Sequence, residues 1–70
     1  MTFHECCENI AKYSNSDYAK SYAQQGLAFF DAERQEAQIQ YLLSNISHWR
    51  GPLAKEVRAE LKRMAKEGVA

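Results

Sequence analysis

The hydrophobic pattern of this chain changes its helical phase near the middle, and that change constrains the fold more than any other feature. Apolar residues from Tyr18 to Phe30 recur on one helical face, and those from Ile39 to Trp49 recur on the opposite face. At about 100° per residue, the centres of the two stripes differ by roughly 180°. The pattern therefore predicts that the chain folds back on itself, with a break between Phe30 and Ala37. One long helix over residues 16–48, packing opposite faces against different partners, stays open as the alternative.

Local signals predict helices on both sides of this break. Thr2 and Glu5 form a capping box for a first helix that ends near Tyr13. Ser14 is the expected N-cap of the second helix, with Asp17 completing its box. Gly51 fits a C-cap, Pro52 fits the first turn of a last helix, and Gly68 ends that helix. The expected fold is all-α, a helical hairpin or bundle of three to four helices, with residues 1–70 forming one domain.

The small size of the chain favours self-association. A single core in 70 residues yields only roughly 3–5 kcal/mol of stability. Residues 1–38 carry a net charge of −3 and residues 39–70 a net charge of +3, which could guide association. We therefore expect a symmetric dimer. Gly26, inside the second helix, predicts the close approach of another helix.

The N-terminal residues resemble neither a secretory signal nor a membrane span. An acidic residue appears by Glu5 and no long apolar run follows. Adjacent Cys6 and Cys7 cannot form an ordinary disulfide with each other, so reduced thiols are expected. These features favour a cytoplasmic protein.

No residue constellation in the chain indicates a catalytic, metal or cofactor site. His4, Cys6, Cys7 and His48 are zinc-type ligands, but adjacent helical cysteines point about 100° apart and no second cysteine pair exists. A cysteine nucleophile would also need a cleft and an oxyanion site, for which so short a chain has little room. The sequence therefore predicts a protein that is not an enzyme and holds no cofactor.

Two surfaces are candidates for binding a partner. Trp49 and Arg50, beside the Gly51–Pro52 turn, form an aromatic–arginine pair of the kind that dominates protein interfaces, although Trp49 could equally cap the core. The last helix carries a basic ridge that could meet phosphates, formed by Lys55, Arg58, Lys62 and Lys66. Interspersed glutamates favour an ordinary solvated face there. Protein binding is the leading hypothesis, and nucleic-acid binding through the last helix is the alternative.

Two resemblances support these hypotheses. Tyr22, Gly26, Phe29, Ala37 and Tyr41 resemble the pattern of a single tetratricopeptide helix-turn-helix, which implies a hairpin but not a repeat array.

The segments Ala23–Leu27 and Tyr41–Gly51 resemble small accessory proteins encoded in the exo–xis region of lambdoid bacteriophages. This second resemblance implies an early phage protein in the bacterial cytoplasm that influences host physiology or the choice between lysis and lysogeny. It implies no catalytic residue.

Overall fold

The computed structural model describes residues 1–69, which fold into four α-helices without a strand. The helices are α1 (Phe3–Tyr13), α2 (Asp17–Gly26), α3 (Ala32–Asn45) and α4 (Pro52–Glu67). Each helix packs mainly against two neighbours, so the helices form a ring in the order α1, α2, α3, α4. The expected all-α bundle is confirmed. The described residues include no helix that is both long and apolar enough to cross a membrane.

The ends of α1 and α4 follow the local sequence signals. The Thr2 hydroxyl accepts from the Glu5 backbone amide at 3.1 Å, and the Glu5 carboxylate accepts from the Thr2 amide at 2.8 Å. This reciprocal pair is the predicted capping box. Pro52 occupies the first turn of α4, where its missing amide hydrogen costs nothing, and Gly68 caps the other end.

The predicted fold-back is confirmed, but the break lies earlier than expected. Helical structure stops at Gly26 and resumes at Ala32, whereas the predicted break ran from Phe30 to Ala37. Asp31 is the N-cap of α3, since its carboxylate accepts from the Arg34 amide at 3.1 Å. The polar segment after Asp31 therefore forms the first turn of α3 rather than the connection.

Two other turn assignments were wrong. Ser16, not Ser14, is the N-cap of α2, and Ser14 instead ends α1. Helix α3 ends at Asn45, and Gly51, with φ of +111°, precedes α4 as its N-cap instead of ending α3. Positive φ favours glycine at either place, so the residue type alone does not decide between them.

The core lies at the centre of the ring and is filled mainly by α1, α3 and α4. The buried apolar residues are Phe3, Cys6, Cys7, Ile10, Ala19, Ala23, Ile39, Leu42, Ile46, Trp49, Ala54, Val57, Leu61 and Met64. Helix α2 contributes only the small residues Ala19, Ala23 and Gly26 as buried positions. It can therefore approach α1 closely.

Gly26 lies where α2 packs closely on α1. A Cβ atom at Gly26 would lie 2.8 Å from Cys7 Sγ and 3.2 Å from Phe3 Cζ. Real carbon–sulfur contacts are not this short, so a glycine is required unless a neighbour moves. The expected close packing at Gly26 is confirmed.

Candidate protein-binding surface

The close packing of α1 on α2 leaves large aromatic side chains outside the core. Among the described residues, Tyr13, Tyr18, Phe30 and Tyr41 are 60%, 74%, 81% and 54% exposed. Tyr18, Phe30 and Tyr41 belong to the apolar stripes that the sequence assigned to the core. On α2 the buried positions are taken by Ala19, Ala23 and Gly26, so Tyr18 remains at the surface.

Two of the tyrosines are in contact where α2 packs beside α3. The rings of Tyr22 and Tyr41 stack with centroids 5.3 Å apart and planes 18° apart. Tyr18 lies one turn before Tyr22 on the same helix. Gln38 fixes the pairing of the two helices, because its Nε2 donates to the backbone oxygen of Tyr22 at 2.8 Å.

We call this surface the tyrosine face. It is made of Tyr18, Tyr22 and Gln25 on α2, at positions i, i+4 and i+7, and of Ala37, Tyr41 and Ser44 at the same spacing on α3. Tyr22 is half-buried and the other five residues are exposed. Positions at this spacing share one side of a helix. The face therefore covers the middle of the side formed by α2 and α3, with Asp17 beside Tyr18 at one end and Arg34 one turn before Ala37 at the other.

The tyrosine face carries no charged side chain. Residues 21–30 and 37–49 contain no Asp, Glu, Lys or Arg, although 26% of the chain is charged. Depletion of charge together with enrichment of tyrosine is the compositional mark of the centre of a protein interface. The runs without charge are visible in the sequence, but the sequence does not show which aromatic side chains stay exposed.

Only one residue of the predicted Trp49–Arg50 pair is exposed. Trp49 is 6% exposed and packs in the core, so it cannot offer a large surface to a partner. Arg50 is exposed in the loop that follows α3. Arg50 directly precedes Gly51, the N-cap of α4.

One residue of the predicted basic ridge, Arg58, has a structural role. Arg58 is half-buried, and its Nη1 donates to the backbone oxygens of Ile46, at 3.0 Å, and Trp49. It therefore holds the loop between α3 and α4. Lys55, Lys62 and Lys66 are exposed, and their spacing of seven and four residues places them along one line of α4. That line lies away from the tyrosine face.

Cys6, Cys7 and His4 are buried or hydrogen-bonded within the fold. Cys6 and Cys7 are free and fully buried, and burial raises the pKa of their thiols to about 11 and about 12. The Nε2 atom of His4 is hydrogen-bonded to the backbone oxygen of Phe29 at 2.7 Å, and His48 is exposed. Residues 1–69 contain no group of three or more His, Cys, Asp or Glu side chains placed to hold a metal. Over the same residues no pocket is present.

An ion-pair network joins α4 to the start of the chain. Glu60 Oε1 lies 2.7 Å from the ammonium group of Met1, and its Oε2 accepts from Arg63 Nε at 2.8 Å. Hydrogen bonds from the ammonium group and then from Arg63 lower the pKa of Glu60 to about 2. Arg63 is thus paired with Glu60, whereas Lys55, Lys62 and Lys66 are exposed along their line of α4.

Comparison with known proteins adds no relative: no family model, no curated protein and no solved structure matches this chain.

Proposed function

We propose that this protein is a non-enzymatic helical adaptor that acts by binding another protein through the tyrosine face. The observation that carries the proposal is a surface that exposes Tyr18 and Tyr41 and has no charged residue among the six that form it. Tyrosine supplies a large, rigid contact area at low entropic cost, and its hydroxyl group can hydrogen-bond at an interface. An adaptor of this kind needs no cleft, because a flat or shallow side is sufficient for a protein partner.

Arg50 is a second residue that contacts the partner in this proposal. Its guanidinium group is exposed and can pair with a carboxylate of the partner in two parallel hydrogen bonds. Trp49 contributes indirectly, by anchoring the loop in the core. Of the aromatic–arginine pair, Arg50 is therefore the residue that contacts the partner.

The resemblance to accessory proteins of lambdoid bacteriophages supplies a biological setting for this proposal. In that setting the adaptor acts in the bacterial cytoplasm on a host or phage protein. Its binding influences host physiology or the choice between lysis and lysogeny.

Nucleic-acid binding through α4 is the second candidate, and it is favoured by one observation. Lys55, Lys62 and Lys66 form an exposed line of positive charge over about 16 Å of helix. Phosphate contacts release counterions, so such binding would weaken steeply as salt rises. Because Arg58 is hydrogen-bonded to the α3–α4 loop, the line can contact fewer phosphates than the predicted ridge.

Affinity capture from bacterial lysate, with and without nuclease, separates the two candidates. We expect the chain to capture a protein even after nuclease treatment. Tyr41→Arg should abolish this capture, and Arg50→Ala should weaken it. Tyr13→Arg is the matched control, because Tyr13 is also an exposed tyrosine but lies on α1, outside the tyrosine face. Capture that disappears on nuclease treatment, or that is lost in the double variant Lys62→Gln, Lys66→Gln but not in Tyr41→Arg, would instead establish nucleic-acid binding.

A further inference from the structure

We infer that a second copy of this chain covers the tyrosine face, related to the first by a two-fold axis through the middle of that face. The inference rests on the proposed function, because it assigns a partner to the same surface, and a second copy and another protein would compete for that surface. Three features of the molecule support it: the absence of charge at the middle of the face, the charges at its two ends and the size of the core.

The absence of charge makes this side of the ring suitable for pairing with itself. In a two-fold contact the same surface of both copies meets, so each contact of one residue with another is repeated with the copies exchanged. A face that carries charges of one sign would therefore place like charges together, which destabilises the contact. Helix α4 exposes Lys55, Lys62 and Lys66, so two copies of its outer side would repel. The tyrosine face introduces no such repulsion.

The charges at the two ends of the tyrosine face favour the antiparallel arrangement. Asp17 lies at the end where α2 begins, and Arg34 lies at the end where α3 begins, beside Asp31 at 3.8 Å. A two-fold axis that lies in the interface and runs across the helices brings the first end of one copy to the second end of the other. Asp17 of each copy then lies at the end of the interface that carries Arg34 of the other copy.

The small core gives a reason for the second copy. The fully buried large side chains in the described residues are few, and α2 adds none of them. Covering Tyr18, Tyr22 and Tyr41 would bury apolar ring surface that the isolated chain leaves in water, at about 25 cal/mol per Å². Because association then adds to folding stability, stability should rise with protein concentration.

The test begins with sedimentation velocity of the full chain over a concentration series from about 1 to about 300 µM. We expect a monomer–dimer equilibrium with a dissociation constant on the order of tens of micromolar, as befits an interface of modest size. Tyr41→Arg and, as a second variant, Tyr18→Arg should each raise this constant at least about tenfold, because an added charge is repeated across the axis. Both tyrosines are exposed in the monomer, so the circular dichroism of both variants should show unchanged helix content. Tyr13→Arg should change the constant by less than about twofold.

A charge exchange tests the two-fold arrangement itself. Asp17→Arg and Arg34→Asp should each weaken the dimer about threefold, as expected for rim charges. An equimolar mixture of the two variants should form a mixed dimer at least as tight as the parent, because every rim contact then joins opposite charges. Only pairing between copies of this chain predicts that recovery. A mixture that associates no better than either variant alone would overturn the antiparallel arrangement.

The remaining outcomes separate this inference from the proposed function. A chain that stays monomeric at about 300 µM while Tyr41→Arg abolishes capture of another protein overturns self-pairing and leaves the adaptor proposal standing. A dimer that Tyr41→Arg and Tyr18→Arg leave intact overturns the assignment of the interface. Loss of dimer in Tyr13→Arg to the same extent as in Tyr41→Arg also overturns it, because the effect would not be specific to the tyrosine face.

Discussion

Replacing Gly26 with alanine should destabilise the fold even though alanine is the better helix former. The new methyl group would lie 2.8 Å from Cys7 Sγ and 3.2–3.3 Å from the tip of the Phe3 ring. Ordinary non-bonded contacts lie at about 3.5–4.0 Å. Either α1 and α2 must therefore separate by several tenths of an ångström, or the buried Cys7 side chain must leave its position.

The magnitude follows from two opposing terms. Overpacking a well-filled interior costs about 1–3 kcal/mol. Alanine returns up to about 1 kcal/mol of helix propensity in a helix interior, and less at Gly26, the last residue of α2. We expect Gly26→Ala to lower the free energy of unfolding by about 1–2 kcal/mol. In so short a chain each kcal/mol lowers Tm by about 4–8 °C.

A double-mutant cycle with Cys7 identifies the cause. Cys7→Ala removes the sulfur atom that the new methyl group would meet, at a cost of its own of about 1 kcal/mol. In that background the added cost of Gly26→Ala should fall below about 0.5 kcal/mol, since only the flexible tip of Phe3 must yield.

Urea denaturation followed by circular dichroism and by tryptophan fluorescence measures these effects. Trp49 is the chain's one tryptophan, and because it is buried its emission reports unfolding. Ser21→Ala, at an exposed position of α2, is the control and should shift stability by less than about 0.5 kcal/mol. A Gly26→Ala protein as stable as the parent, or an equal cost with and without Cys7, would refute the reasoning.

Three further predictions follow from single contacts. Arg58→Ala should lower stability by about 1–3 kcal/mol, because it leaves two backbone oxygens of the α3–α4 loop without their charged donor, whereas Lys62→Ala should have little effect in the same urea titration. The lowered pKa of Glu60 contributes stability that is present above about pH 4.5 and is lost as pH falls toward 2, so stability measured from pH 5 to pH 2 should fall less steeply in Glu60→Gln than in the parent. A disulfide reagent at pH 8 should label Cys6 and Cys7 only as fast as the protein opens, because burial suppresses their thiolates; rapid labelling of the folded protein would contradict this.

The parts of the fold that the sequence predicted well depend on interactions within a few residues. The capping box joins Thr2 to Glu5, and Pro52 marks the start of α4 by its own chemistry. The predicted end of α3 was wrong because Ile46 and Trp49 continue the spacing of a helical stripe. In the structure both residues are buried, but they lie in a turn after the helix. In that turn the Trp49 amide donates to the Ile46 oxygen. Periodicity cannot distinguish these two backbones.

The candidate surface was harder to predict because it depends on contacts between distant residues. Arg58 contacts an oxygen twelve residues away, so its withdrawal from the basic ridge has no local signal. The side of α2 that turns inward is likewise decided by α1. Size alone favoured burying Tyr18, whereas the structure buries Ala19 and Ala23 instead.

The packing that Gly26 permits is also what creates the tyrosine face. Because α1 lies so close to α2, Phe3 and Cys7 occupy the space into which larger α2 side chains would otherwise turn. The tyrosines must then remain outside, and the uncharged residues between them leave that side without the charges that keep a surface solvated. Stability and binding should therefore separate by position: Gly26→Ala acts on the inner side of α2 and lowers the free energy of unfolding. Tyr18→Arg acts on the outer side and weakens association while the monomer stays folded.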